Sequence, residues 1–165
     1  MIHDLKDLKV EIVKISNPES RKIAIIQSSY YSELNQNMTD FCKETFIRNG
    51  IIGTNIHTFL APGTWEIPLL TKKALDKGIY DAIVTFGVIV KGQTYHFDMI
   101  ANESGKALME LSVEYKTPIA LEVLAVMTED QAIKRASRDN FNKGIEAANA
   151  MLKAIRTLEE IEEIT

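Results

Sequence analysis

A single histidine, His96, stands in the stretch Gly87 to Asp98, GVIVKGQTYHFD, just past an apolar run. An imidazole titrates near neutrality and moves protons in both directions, so His96 is a candidate general acid–base. A loop histidine that hydrogen-bonds its own turn is the alternative. Gly92, Gln93 and Thr94 offer backbone N–H groups and a hydroxyl near a helix start, which together could cradle an anion. Arg135, Arg138 and Lys143 gather in KRASRDNFNKG. A guanidinium matches phosphate with two parallel hydrogen bonds, although arginines on a helix flank commonly serve only solvation. Tyr30, Tyr31 and Trp65 provide flat surfaces that could stack on a heterocycle, with core or interface packing as the competing use. Asp98 could orient the imidazole, but its position better suits a helix N-cap.

These residues need a scaffold, and the hydropathy pattern supplies one. Short apolar runs at Lys22–Gln27, Asn55–Leu60, Asp81–Phe86 and Ile119–Val126 read as strands. Between them, Leu34–Arg48, Thr64–Lys77 and Asp98–Tyr115 show helical spacing. A short helix from the capping-box sequence Thr128–Gln131 and a last helix from Asn140 or Asn142 to about Ile161 complete the pattern. Alternation of this kind argues for a three-layer α/β/α sandwich around a four-stranded parallel sheet. Gly87 is expected to end the third strand. Trp65, Ile67, Leu69, Leu70 and Ala74 are expected to form the buried side of the second helix. In such sheets ligands bind beyond the carboxyl ends of the strands. Ser28–Tyr31, Ala61–Glu66 and Gly87–His96 all fall there.

At 165 residues the chain reads as one domain: an arm over 1–20, a core over 22–158 and a solvated acidic tail over 159–165. Residues 1–8 are expected to attach loosely, and VEIVKI (Val10–Ile15) to form an extra strand that pairs with another subunit. A net charge of −4 with no basic stripe argues against nucleic acid as a partner. No stretch is long and apolar enough for a membrane span. Cys42, the lone cysteine, lies among Met38, Phe41 and Phe46 and reads as a buried, inert thiol; the expectation is a reduced, cytoplasmic protein. His57 alternates within a strand and reads as a strand-face histidine. No dinucleotide fingerprint, P-loop or nucleophile elbow occurs. The residues alone therefore lead to an α/β protein binding a small phosphorylated ligand.

Three segments carry the reading further. APGTWEIPLLTKKAL, YDAIVTFGVIVKGQTYHFDMIANESGKALMELS and QAIKRASRDNFNKGIEAA, in this order and spacing, closely resemble the lumazine synthase family. The resemblance implies condensation of 5-amino-6-(D-ribitylamino)uracil with 3,4-dihydroxy-2-butanone 4-phosphate, without cofactor or metal, in the penultimate step of riboflavin biosynthesis. It assigns proton transfer to His96 and phosphate binding to Gln93, Thr94 and Arg135. It assigns the pyrimidine and ribityl chain to Tyr30, Thr64, Trp65, Glu66, Val88, Ile89 and Val90, with Leu121 as a wall supplied by an adjacent subunit. Lys143 falls near the pocket, and Glu146 is placed to pair with it. The family's assembly implies a homo-oligomer, a pentamer or a multiple of pentamers, with sites at subunit interfaces. The chain departs from the family pattern at Ser29-Tyr30-Tyr31, at Leu121-Glu122 and across Ala136–Phe141, where relatives are Gly-rich. Ser29, Leu121 and Glu122 motivate a second reading, a paralogue acting on a related pterin or flavin precursor. A third is a non-catalytic flavin-binding or shell-forming protein, against which the presence of both His96 and Arg135 argues.

Overall fold

The computed structural model describes residues 4–164. Four strands, β1 (Ile23–Ser28), β2 (Ile56–Ala61), β3 (Ala82–Val90) and β4 (Ile119–Val126), form one wholly parallel sheet in the order β2-β1-β3-β4. Every residue of β1 is buried, as expected of a central strand covered on both faces. Helices α2 (Ile67–Leu75) and α3 (His96–Tyr115) cover one face, over Ala24, Ile26 and Ile83. On the other face lie α1 (Ser32–Arg48) and α5 (Lys143–Glu162), over Ile25, Val84, Phe86, Val88 and Leu124. A short α4 (Glu129–Arg135) joins β4 to α5. The three-layer sandwich expected from the sequence is the observed fold.

The helix ends follow local chemistry. Gly50, in left-handed backbone (φ +91°), ends α1. Lys116, also left-handed, closes α3 just ahead of Pro118. Asn142 caps α5: its Oδ1 accepts the Gly144 N–H at 2.8 Å, and its Nδ2 donates to the Ser137 carbonyl at 2.8 Å. Beside that cap, α5 presses on α1 at Gly144. A Cβ there would stand 1.9 Å from the Met38 carbonyl oxygen, so the two backbones meet with no room for a side chain.

Several expectations are corrected. β3 does not stop at Gly87 but runs to Val90, because its pairing with β4 continues to Val90↔Val126. Gly87 serves a close approach instead, since a Cβ there would lie 2.8 Å from Thr64 Oγ1. α3 begins at His96 rather than Asp98. Its N-cap residue is Tyr95, without a side-chain cap, and Asp98 sits inside the first turn, 3.4 Å from Lys91 Nζ. The Thr128–Gln131 capping box is incomplete: Thr128 caps nothing, and Gln131 Oε1 accepts from the Met127 N–H at 2.9 Å. Thr64–Glu66 is a 3-10 turn ahead of α2. Trp65 (55% exposed) and Leu69 (70%) point outward, so α2 buries Ile67, Thr71, Ala74 and Leu75 instead.

The N-terminal arm is not loose over its described part. Leu8 is buried, and Arg48 donates to the carbonyls of Leu8 and Leu5 at 2.6 and 2.7 Å; residues 1–3 lie outside the described residues. Val10–Ile15 forms no strand within its own chain. Glu159, assigned to a solvated tail, belongs to α5 and pairs with Arg21 and the Ser16 N–H.

Candidate active site

The sheet changes winding direction between β1 and β3, and the crevice beyond such a switch point is where open α/β sheets hold ligands. A cavity of about 510 Å³ lies there. Tyr30 and Tyr31 enter it from the end of β1, Gly63–Glu66 from the turn after β2, Val88–Val90 from β3, and His96 and Ile100 from α3.

Each wall has a local cause. Gly63 has no side chain, and the Glu66 carboxylate and the Tyr30 ring edge close around it, 3.2 and 3.6 Å from where a Cβ would stand. Thr64 is buried against Gly87, which holds the turn onto β3. β1 pairs with β3 only as far as Gln27↔Phe86, whereas β4 pairs with it to Val90. The last four residues of β3 therefore keep one edge unpaired, toward the cavity. Val88 and Val90 turn their side chains into the α1/α5 core, so their main-chain groups are what they offer on that edge. An open row of amide groups suits the alternating donors and acceptors of a pyrimidine edge. Tyr30, 69% exposed, presents an aromatic face beside it. His96, the first residue of α3, is exposed at the mouth and within the same lining.

Other sequence-derived candidates lie elsewhere. Gln93 and Thr94 are exposed in the loop before α3 and do not line the cavity. Leu121, half exposed, is on the outer sheet edge at β4. Arg135 is exposed at the end of α4, its Nη1 donating to the Gln131 carbonyl at 2.9 Å. Lys143 opens α5 and pairs with Glu146 at 2.5 Å, as expected. Near that pair Glu122, half-buried on the α1/α5 face of β4, has its carboxyl pushed up to about 7. Burial is the main cause; Lys143 opposes it and Glu146 adds to it. Cys42 is wholly buried, and burial raises its thiol well above the ordinary range, so it has no thiolate to offer at neutral pH. His57 Nδ1 lies 2.8 Å from the Tyr80 hydroxyl, away from the cavity.

Tyr31, Gly63 and Ile100 also line the cavity. The resemblance assigns none of them a role, although the sequence offers Tyr31 as a stacking surface and places Gly63 at a strand end. Tyr31 is legible as an aromatic at a strand end; Ile100 is one turn beyond His96 on α3 and has no signal beyond helical spacing. A second cavity, about 780 Å³, lies across Tyr30 and Tyr31 from the first, between the start of α1 and α4. Among the described residues, no three His, Cys, Asp or Glu side chains converge as metal ligands would.

Sequence comparisons give the family of the chain that builds this cleft. The family model for 6,7-dimethyl-8-ribityllumazine synthase matches residues 20–159. The chain belongs to that family. It is also 34% identical over 146 residues to the 6,7-dimethyl-8-ribityllumazine synthase of Ruthia magnifica subsp. Calyptogena magnifica, a match covering 86% of this chain and 87% of that relative. Residues 20–159 of the family match include both the cleft and the remote positions Leu121, Arg135 and Lys143.

Proposed function

We propose that this chain is a lumazine synthase, condensing 5-amino-6-(D-ribitylamino)uracil with 3,4-dihydroxy-2-butanone 4-phosphate to 6,7-dimethyl-8-ribityllumazine, phosphate and water. The observation that carries the reading is the open edge of β3 at Val88–Val90, set between Tyr30 and His96. A flat uracil can hydrogen-bond to that edge and stack on Tyr30, with its ribityl hydroxyls toward Thr64 and Glu66. The 5-amino group of the pyrimidine attacks the ketone to give an imine, with loss of one water. Removal of the adjacent C–H proton then expels phosphate and leaves an enol, which tautomerises to a ketone. The second amine closes the ring on that ketone with loss of a second water. His96 takes and returns protons through these steps. Gln93, Thr94 and Arg135 hold the phosphate. Holding both substrates in one cleft supplies much of the acceleration by proximity.

In this reading the cleft of one chain is completed by Leu121, Arg135 and Lys143 of a neighbouring copy, in a pentamer or a multiple of pentamers. The N-terminal arm supports such an assembly. Lys9 N–H donates to Asn140 Oδ1 (3.2 Å), Asn49 Nδ2 to the Glu11 carbonyl (3.1 Å), and Val13 N–H to Asn49 Oδ1 (2.7 Å). The main-chain groups of Val10, Ile12 and Lys14 have no such partner among the described residues, which leaves them available for strand addition. At the sheet edge, β2 exposes Phe59 and Leu60, an apolar surface suited to burial against another copy. Among the described residues no helix is long and apolar enough to cross a membrane, and we place the enzyme in the cytoplasm.

Mixing purified protein with both substrates and following lumazine absorbance and fluorescence tests the reading. Turnover above the slow uncatalysed condensation is expected; its absence would leave a binding or shell-forming protein as the better description. Sedimentation of the same preparation reads the assembly.

A further inference from the structure

Tyr31 occupies a position that its own chemistry does not favour. It is the N-cap residue of α1, with left-handed backbone (φ +52°, ψ +45°), and its side chain caps nothing. N-cap residues ordinarily have extended backbone and carry Ser, Thr, Asp or Asn, whose oxygen accepts a free N–H of the first turn. Left-handed backbone is tolerated by Gly and Asn and strained for a bulky aromatic. Two other non-glycine residues have positive φ among the described residues, and both have local reasons. Asn17 is a type that accepts the conformation, and Lys116 closes a helix at the end where a left-handed residue is common. Tyr31 has neither reason.

The turn around it is tied on both sides. Asn35, wholly buried, donates through Nδ2 to the carbonyls of Ser28 and Tyr30 at 2.9 and 2.7 Å, and its N–H donates to the Tyr31 carbonyl at 3.1 Å. The Tyr30 N–H donates to Ser28 Oγ at 3.1 Å. Ser29 donates both its N–H and its hydroxyl to the Ala61 carbonyl at 2.9 Å, tying the turn to the end of β2. Strain over-determined in this way is characteristic of residues placed for a ligand. The placement fits: Tyr31 lines both the cleft beside β3 and the larger cavity toward α4.

We propose that Tyr31 is a substrate-contacting, specificity-determining residue. Its ring stands at the seam between the two cavities and sets the width of the cleft for the ribityl-bearing pyrimidine. This inference rests on the function proposed above.

The test pairs steady-state kinetics for each substrate with thermal unfolding at fixed protein concentration, for the wild-type chain, Tyr31→Asn and Tyr31→Leu. Tyr31→Asn relieves the strain, since Asn tolerates left-handed backbone, so its Tm should rise by about 2–4 °C. The KM for the pyrimidine substrate should rise roughly tenfold as the aromatic wall is lost, while the KM for the phosphate substrate stays put. Tyr31→Leu keeps a bulky side chain on the same backbone, so it should show the pyrimidine KM rise without the gain in Tm. It reads the proposal even where Tyr31→Asn fails to fold. A stabilised Tyr31→Asn with unchanged pyrimidine KM overturns the proposal, as does an equal rise in both KM values. A wild-type chain that makes no lumazine overturns the parent reading and this one with it. Wild-type turnover beside unaltered variant kinetics overturns this one alone.

Discussion

The two edges of the β3–β4 pair make an instructive contrast. Toward β1, the end of β3 is unpaired and opens onto a cleft that gathers Tyr30, Thr64, Glu66 and His96. On the far side, β4 and the helices after it carry Leu121, Arg135 and Lys143, exposed or half-buried, and none of the three lines that cleft. One edge carries an open main-chain row, aromatic rings and a histidine; the other carries Arg135 and Lys143 away from that cleft. In the function proposed above the two edges are complementary halves of one site, which a ring of copies would bring together. Closeness in the fold and partnership in chemistry are separate properties.

The largest effect should come from the cleft. His96→Ala is expected to lower kcat by roughly 10²–10⁴-fold, the usual worth of a positioned acid–base group, with pyrimidine affinity largely kept. An unchanged kcat would remove His96 from the chemistry. On the other edge, Arg135→Ala should raise the KM of the phosphate substrate by about tenfold to a hundredfold, from the loss of charge-assisted hydrogen bonds. Mixing the two variants as co-assembled oligomers, assayed at a phosphate-substrate concentration low enough that each alone is slow, sharpens the contrast. Some clefts then combine an intact His96 with a neighbour's intact Arg135, so activity should return; mixtures as slow as their parents would place both residues in one chain's site.

The smallest effect concerns Glu122, at the outer edge. Its carboxyl titrates near 7 when folded, above the ordinary carboxylate range, because burial disfavours its charge. Below that ordinary range both folded and unfolded states bind the proton, and stability is unaffected. As pH rises toward 7 the unfolded chain ionises first, so stability falls, and above 7 the deficit is constant. Glu122→Gln should be more stable than wild type at pH 8 by on the order of 2 kcal/mol, with the advantage gone by pH 4. Denaturant titrations at the two pH values and one protein concentration decide it.

The layers of this fold were legible because β1, β3 and β4 are apolar runs set between helical periodicities, and those patterns follow directly from burial. Gly87 misled because a glycine after an apolar run looks like a stop; nothing local reveals that Thr64 needs the space. Trp65 and Leu69 look like core because hydropathy does not say which partner covers a residue, its own chain or another. The same blindness applies to the site. Motif spacing singled out His96, Arg135 and Lys143 together but could not tell that one lies at the cleft and two on another surface. Tyr31 was visible as an aromatic, whereas its strained backbone belongs to the folded turn alone.

The contact between Gly144 and Met38 bears on how this chain can vary. Even a methyl group at 144 would overlap the Met38 carbonyl, so every missense change at that codon must pry α1 from α5 beside Lys143. The neighbouring loop residues Asn140 and Phe141 are exposed and have room to vary, while Gly144 has none. Inheritance of the crossing and inheritance of the lysine's position are therefore a single event.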